Sequence, residues 1–176
     1  MAKLRPGDAA PDFTLESVNM GRVSLKDYRG SRVFLVFGRY FGCPVCQHDF
    51  DRLLMLRREI GHDLKTIYLV QSSPESAEEY IKDMDVGFPV VPVPKEDGKY
   101  RVYDLYGVGA MGPVTLAKII GRAREARKVG KVHGAYEGKE TQSPGDFVID
   151  EDGRIIRAHV GLFEADDVSV LLKSLG

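Results

Sequence analysis

The sequence predicts an α/β fold: a central mixed sheet flanked by helices and preceded by an N-terminal β-hairpin extension. Three observations carry this. Strand-length apolar runs alternate with helix-length amphipathic stretches, the pattern of a sheet covered by helices. Two short apolar runs flank Asp150-Glu151-Asp152-Gly153 and read as a hairpin, which adds antiparallel strands and makes the sheet mixed. Residues 1–30 alternate and turn like an extended meander rather than a helix.

Taken in order, Asp12-Phe13-Thr14-Leu15 alternates, Asn19-Met20-Gly21 turns, and Val23-Ser24-Leu25 alternates again. Arg32 to Phe37 is a compact apolar run, a central strand buried on both faces. After the loop Gly38 to Gly42 comes Cys43-Pro44-Val45-Cys46. Pro44 suits the first helical position, where its missing N–H costs nothing, so Cys43 falls at the N-cap. Cys46, Phe50, Leu53 and Leu54 make the inward stripe of this helix, leaving Asp49, Asp51, Arg52, Arg58 and Glu59 to solvent. It runs to about Ile60, where Gly61 stops it.

Leu64 to Val70 is a second buried strand. Ser73 caps a helix that Pro74 begins and that reaches about Met84. Phe88 to Val93 is a third strand, placed near an edge by its prolines. Lys99 to Tyr106 is a short helix closed by Gly107, and Gly109 to Pro113 is a loop. Residues 114 to about 129 form an amphipathic helix. Leu116, Ile119, Ile120 and Ala123 share its apolar face, and Lys118, Arg122, Arg124 and Arg127 the polar one. A Gly-rich polar stretch, 130–145, leads to the hairpin strands Phe147-Val148-Ile149 and Arg154-Ile155-Ile156, and a helix from about Ala165 to Leu175 follows.

The 176 residues are expected to form one domain spanning 1–176. A formal net charge of −1 gives no overall basic field to gather nucleic acid or an anionic membrane. No apolar run approaches a membrane span. The stretch Met1 to Asp8 has charge but no apolar segment of a secretory signal, so a cytoplasmic location is expected.

Only two cysteines are present, Cys43 and Cys46, and so close a pair cannot staple a fold. In a reducing compartment such a pair is catalytic or metal-binding. Cysteine chemistry needs a thiolate, and a helix N-terminus favours one through its unpaired N–H groups and partial positive charge. Cys43 sits there, with Arg39 four residues upstream. Cys46 lies one turn on, at a spacing that a disulfide can bridge. Cys43 therefore reads as the nucleophile and Cys46, turned inward and less accessible, as the resolver. A zinc site would need two further ligands, and His48, His62, His133 and His159 have no paired-ligand spacing. No cofactor and no metal are called for.

Gly7-Asp8-Ala9-Ala10-Pro11-Asp12-Phe13-Thr14-Leu15 and the stretch Gly21 to Gly30 resemble the opening of peroxiredoxins of the alkyl hydroperoxide reductase/thiol-specific antioxidant group. Asp104-Leu105-Tyr106-Gly107-Val108 and Phe147 to Gly153 extend the likeness over nearly the whole chain. The segment Arg39 to Cys46, with the basic helix and Gly145, is most similar to the peroxiredoxin-like 2 branch. The resemblance implies a thioredoxin-like fold and thiol-dependent antioxidant activity. It also implies a hydroperoxide or protein disulfide as substrate and a thiol electron donor such as a thioredoxin or glutathione system. A homodimer is expected by analogy alone.

Arg39, Tyr40, Pro44 and Gly145 are the expected supporting residues. Tyr40 and Val36 stand where peroxiredoxins usually place a threonine or serine and a proline. The arginine that usually completes the site has Arg39, Arg154 and Arg157 as candidates. Tyr40 and Phe41 read either as a hydrophobic lip for substrate or as packing over the cysteine. The functions to be distinguished are hydroperoxide reduction, protein disulfide exchange and non-catalytic redox sensing. The basic cluster Lys118 to Lys131 reads as a solvated helix face, Gly107 to Gly112 as a plain loop, and the histidines as plain surface or hydrogen-bonded residues without a role, His159 being the one to check for proximity to the site.

Overall fold

The computed structural model describes residues 3–60 and 64–175; Gly61 and His62 lie outside them. A two-stranded antiparallel hairpin, β1 (Thr14–Glu16) with β2 (Arg22–Ser24), forms the N-terminal extension. The main sheet has the order β5-β4-β3-β6-β7. Its members are β3 (Arg32–Phe37), β4 (Leu64–Val70), β5 (Val90–Pro92), β6 (Gly145–Ile149) and β7 (Ile155–Val160). Strand β3 is central, parallel to β4 and antiparallel to β6. The mixed character comes from the β6–β7 hairpin, as expected. Gly153 supplies the positive φ its turn needs, and Asp150 Oδ1 accepts from the N–H groups of Asp152 and Arg154. Proline-bearing β5 lies at the edge.

Burial of both sheet faces follows from the period of two. Val33, Leu35 and Phe37 of β3 face one core with Ile67, Leu69, Phe147 and Ile149. There they meet α3 (Arg101–Leu105) and the N-terminal hairpin through Val102, Tyr103 and Val23. Phe34 and Val36 face the other core, with Phe50 and Leu53 of α1 (Pro44–Ile60) and Ala77 and Ile81 of α2 (Pro74–Ile81). Val168 of α5 (Ala165–Leu175) closes it. Helix α2 begins as expected, with Ser73 Oγ accepting from the Ser76 N–H at 3.1 Å.

Helix α4 (Pro113–Lys128) departs from expectation. It packs on α1 rather than on the sheet, and its fully buried residue is Ala126. Ile119 and Ala123 are partly buried, but Leu116 is 45% exposed and Ile120 59%. Arg122, placed on the polar face, turns inward instead. It bonds Asp49 at 2.7 Å and Glu164 at 3.2 Å, and Asp49 is correspondingly buried rather than wet. An amphipathic period reveals a stripe but not the partner that covers it. Here an ion pair shared by α1 and α4 lies beside a short apolar contact, in which Ile119 and Ala123 pack against the cluster of Val45, Cys46 and Leu162.

Candidate functional site

The site is built where β3 runs out. Gly38 donates to the Leu69 carbonyl, holding the chain against β4 for one more residue. A Cβ at Gly38 would collide with the Tyr68 ring, so only glycine allows this approach. Cys43 N–H then donates to the Tyr40 carbonyl, and the Cys43 carbonyl accepts the Gln47 N–H at 3.0 Å. That is the first helical bond of α1, so Cys43 is the N-cap and Pro44 the first helical residue, as expected.

Both cysteines are free and both are buried, Cys43 at 3% and Cys46 at 6% exposure. Cys46 is therefore not the less exposed residue. The two differ in what they face. Cys43 lines an open groove of about 850 Å³, whereas Cys46 lines a small pocket of about 20 Å³ with Arg39, Asp49, Gly145 and Asp146. A space of that size holds about one water molecule.

Arg39 Nη2 donates to Cys43 Sγ at 2.6 Å, and Nη1 donates to the Glu140 carbonyl at 2.7 Å. Burial opposes the Arg39 charge, but the two neighbouring thiols raise its pKa and keep it protonated. The Cys43 thiol is pulled down to about 6, chiefly by the hydrogen bond from the Cys46 thiol. Arg39 and the Cys46 N–H add to this against the cost of burial. Cys46 moves the other way, well above the usual thiol range, because it donates to Cys43 and is itself buried. One cysteine is thus held as a thiolate and its neighbour as a thiol.

Of the three arginines, Arg39 is the one at the thiolate. Arg154 bonds the Gly7 carbonyl and Arg157 bonds Asp146. His159 also bonds Asp146, at 2.7 Å, and reaches the cavity behind Cys46 only through it. Gly145 lines that cavity and pairs with Phe37, close under the His159 carbonyl and Val108. Tyr40 and Phe41 form no lip. Tyr40 is fully buried and its hydroxyl donates to Glu140. Burial and that carboxylate hold its proton on well above the usual phenol range. Phe41 stacks on Tyr80 at 4.2 Å and meets Phe50 edge-on.

Residues 130–144, which with Gly145 read only as a Gly-rich polar stretch, are a strap across the site. Gly134 donates to the Gly42 carbonyl at 2.8 Å, and Lys139 N–H donates to Gln71. Glu137 accepts from Ser76, while Glu140 receives Arg39 and Tyr40. A Cβ at Gly42 would overlap the Ala135 carbonyl. Glu140 and Asp49 are the site residues that sequence reasoning missed. Asp49 follows Cys46 at helical spacing, which was a legible signal. Glu140 had none, since its partners are about a hundred residues away in the chain. Burial pushes the Asp49 carboxyl up to about 7, even beside Arg122.

Residues 6–158 match the AhpC/TSA family. A Mycobacterium tuberculosis protein provisionally named a peroxiredoxin is 26% identical over 181 residues, covering 98% of this chain and 96% of its own. The thiol-disulfide oxidoreductase ResA of Oceanobacillus iheyensis is 32% identical over 129 residues, 69% of this chain and 64% of that one. Among solved structures, a yeast mitochondrial 1-Cys peroxiredoxin has a TM-score of 0.69 at 21% identity, covering 98% of this chain and 76% of that one. A peroxiredoxin-like protein from Aquifex aeolicus has a TM-score of 0.66 at 16% identity, covering 100% and 90%. These likenesses show a thioredoxin-like fold. The chain belongs to the AhpC/TSA family and is related to enzymes of thiol–disulfide chemistry.

Proposed function

We propose that this AhpC/TSA-family chain reduces hydroperoxides through Cys43, with Cys46 as the resolving thiol. The observation that carries the reading is the Arg39 guanidinium, 2.6 Å from the Cys43 sulfur and anchored from behind by the Glu140 carbonyl. A fixed cation there stabilises the thiolate and the negative charge that develops on the peroxide oxygens as the O–O bond breaks.

In the first step the Cys43 thiolate attacks the terminal oxygen of ROOH. An S–O bond forms, the O–O bond breaks, and the departing alkoxide takes a proton from water to leave as ROH. Cys43 is then a sulfenic acid, oxidised by two electrons. In the second step the Cys46 sulfur displaces hydroxide from Cys43, giving the disulfide, and the Cys46 proton completes a water molecule. Asp49, in the same cavity as Cys46 and able to exchange a proton near neutral pH, is the carrier for that proton. Two electrons from an external thiol donor, of the thioredoxin or glutathione type, then return both cysteines to thiols.

A second reading is exchange with protein disulfides, supported by the names of the ResA relatives. The 3% exposure of Cys43 favours the hydroperoxide, because a slender O–O group reaches a recessed sulfur more readily than a disulfide flanked by two backbones. The test is a stoichiometric pulse of hydrogen peroxide followed by mass spectrometry. The expected result is a Cys43–Cys46 disulfide that is absent in Cys43→Ser and replaced by a Cys43 sulfenate in Cys46→Ser. Oxidation no faster than that of a free thiol, together with Cys43-dependent insulin reduction, would establish the second reading instead.

A further inference from the structure

A second buried carboxylate lies behind Cys46, and the steps above give it no use. Asp146 of β6 is 1% exposed and, like Asp49, lines the small pocket that Cys46 lines. Both of its oxygens are bonded from β7. Arg157 Nε donates to Oδ1 at 2.9 Å, and His159 Nδ1 donates to Oδ2 at 2.7 Å. His159 is the direct cross-strand partner of Asp146, so the sheet register itself builds the pair. A Cβ at Gly161 would come within 3.0 Å of His159 Nε2, which sets the imidazole against a residue of the pocket wall. The same side chain is 31% exposed. One imidazole and one carboxyl therefore span the distance from solvent to the pocket.

Reduction of the Cys43–Cys46 disulfide creates a need for a proton there. The thiolate of an external dithiol attacks the Cys43 sulfur, a mixed disulfide forms, and the old S–S bond breaks with its electron pair on Cys46. Burial makes a thiolate at Cys46 unfavourable. Left as an anion, Cys46 would attack back and expel the donor, so one proton on its sulfur commits the step. The donor's second thiolate then attacks the mixed disulfide, leaves as the donor's disulfide, and frees Cys43 as a thiolate. Two protons leave the donor and one is taken up at Cys46. Of the other ionisable side chains that line the pocket, Arg39 and Tyr68 keep their protons at neutral pH. Asp49 is bonded to Arg122, which cannot hand a proton on. Asp146 is bonded to an imidazole, the side chain type suited to exchanging protons near neutral pH.

From this geometry we infer that His159 and Asp146 form a proton relay that supplies Cys46 from solvent when the disulfide is reduced. The His159 imidazolium passes its Nδ1 proton to Asp146, and Asp146 passes a proton to the Cys46 sulfur across a pocket with room for about one water molecule. Solvent then reprotonates the imidazole, and no electrons move in the relay. Arg157 stays charged and fixes the carboxyl. Asp49 serves disulfide closure, in which Cys46 gives up its proton; the β6–β7 pair serves the return. This rests on the Cys43–Cys46 disulfide, which hydroperoxide reduction and disulfide exchange share, and not on the peroxide.

For the test, the full chain is oxidised with diamide and its Cys43–Cys46 disulfide is confirmed by mass spectrometry. Reduction by excess dithiothreitol at pH 7 is followed by quenched-flow alkylation. His159→Ala should slow reduction by about tenfold or more, and added imidazole should restore most of the loss while leaving the wild type unchanged. His159→Gln, which keeps a donor for Asp146 but relays nothing, should be as slow and gain nothing from imidazole. Both variants should keep the wild-type alkylation midpoint of Cys43. Wild-type rates in both would overturn the inference and leave Asp49, 13% exposed, as the direct route to solvent. A slow His159→Ala that imidazole does not rescue would overturn it too, by reducing His159 to a structural role. Should His159→Ala not fold, His159→Gln decides alone, a wild-type rate overturning the relay and a tenfold loss with an unchanged Cys43 midpoint supporting it. Failure of diamide to form the disulfide would sink the resolving role of Cys46 and the relay together. A working relay in a protein inert to hydrogen peroxide would sink the peroxidase reading alone.

Discussion

Replacing Arg39 by methionine keeps most of the side-chain bulk while removing the charge and the 2.6 Å hydrogen bond to Cys43. A hydrogen bond to a charged group contributes about 1.5–3 kcal/mol. At about 1.4 kcal/mol per pKa unit, that is roughly one to two units. Cys43 should therefore rise from about 6 to roughly 7–8. The thiolate fraction at pH 7 then falls from about nine tenths to between about a half and a tenth. The assay is the rate of iodoacetamide alkylation at Cys43 against pH, with the site assigned by mass spectrometry. The midpoint should move up by that amount. Above both midpoints Arg39→Met should react a few-fold faster than wild type, because nucleophilicity rises with thiol pKa. Stability gives an independent reading. A depressed folded-state pKa contributes stability that is present above the unfolded value of about 8.5 and lost as pH falls through about 6. The stability difference between wild type and Arg39→Met should accordingly narrow from pH 8.5 to pH 6. An unchanged alkylation midpoint would refute the reasoning, and would mean that Cys46 and the helix N-terminus hold the thiolate unaided.

Asp49→Asn tests the buried carboxyl. Its folded-state pKa is raised, so the stability it contributes is present below about 4 and lost as pH rises through about 7. The stability of Asp49→Asn relative to wild type should rise across that window by up to about 4 kcal/mol, and disulfide closure should lose a pH dependence centred near 7. Urea melts and quenched-flow alkylation check the two parts, and parallel pH curves for both proteins would refute them. Phe41→Ala removes a buried ring packed on Phe50, Tyr68 and Tyr80 and should cost about 3–5 kcal/mol of stability. Its Cys43 alkylation midpoint should stay in place, and a moved midpoint with intact stability would restore Phe41 to a role at the substrate.

Sequence alone determined what local patterns determine. Apolar runs of strand length placed β3 and β4, a proline after a cysteine placed the start of α1, and Asp150 to Gly153 placed the hairpin. The same rules put Cys43 at a helix N-terminus and Cys46 one turn behind it. Each follows from bonds made within a few residues, and periodicity records those directly. Tertiary structure decided everything that depends on what a face meets. It chose Arg39 over Arg154 and Arg157, turned Asp49 and Arg122 inward, and folded residues 130–144 into a strap carrying Glu140 to the site. It also left Leu116 and Ile120 of the α4 stripe open over Cys43 instead of closing them into a core. A hydrophobic stripe states that a surface will be covered; only the packing of distant segments settles what covers it.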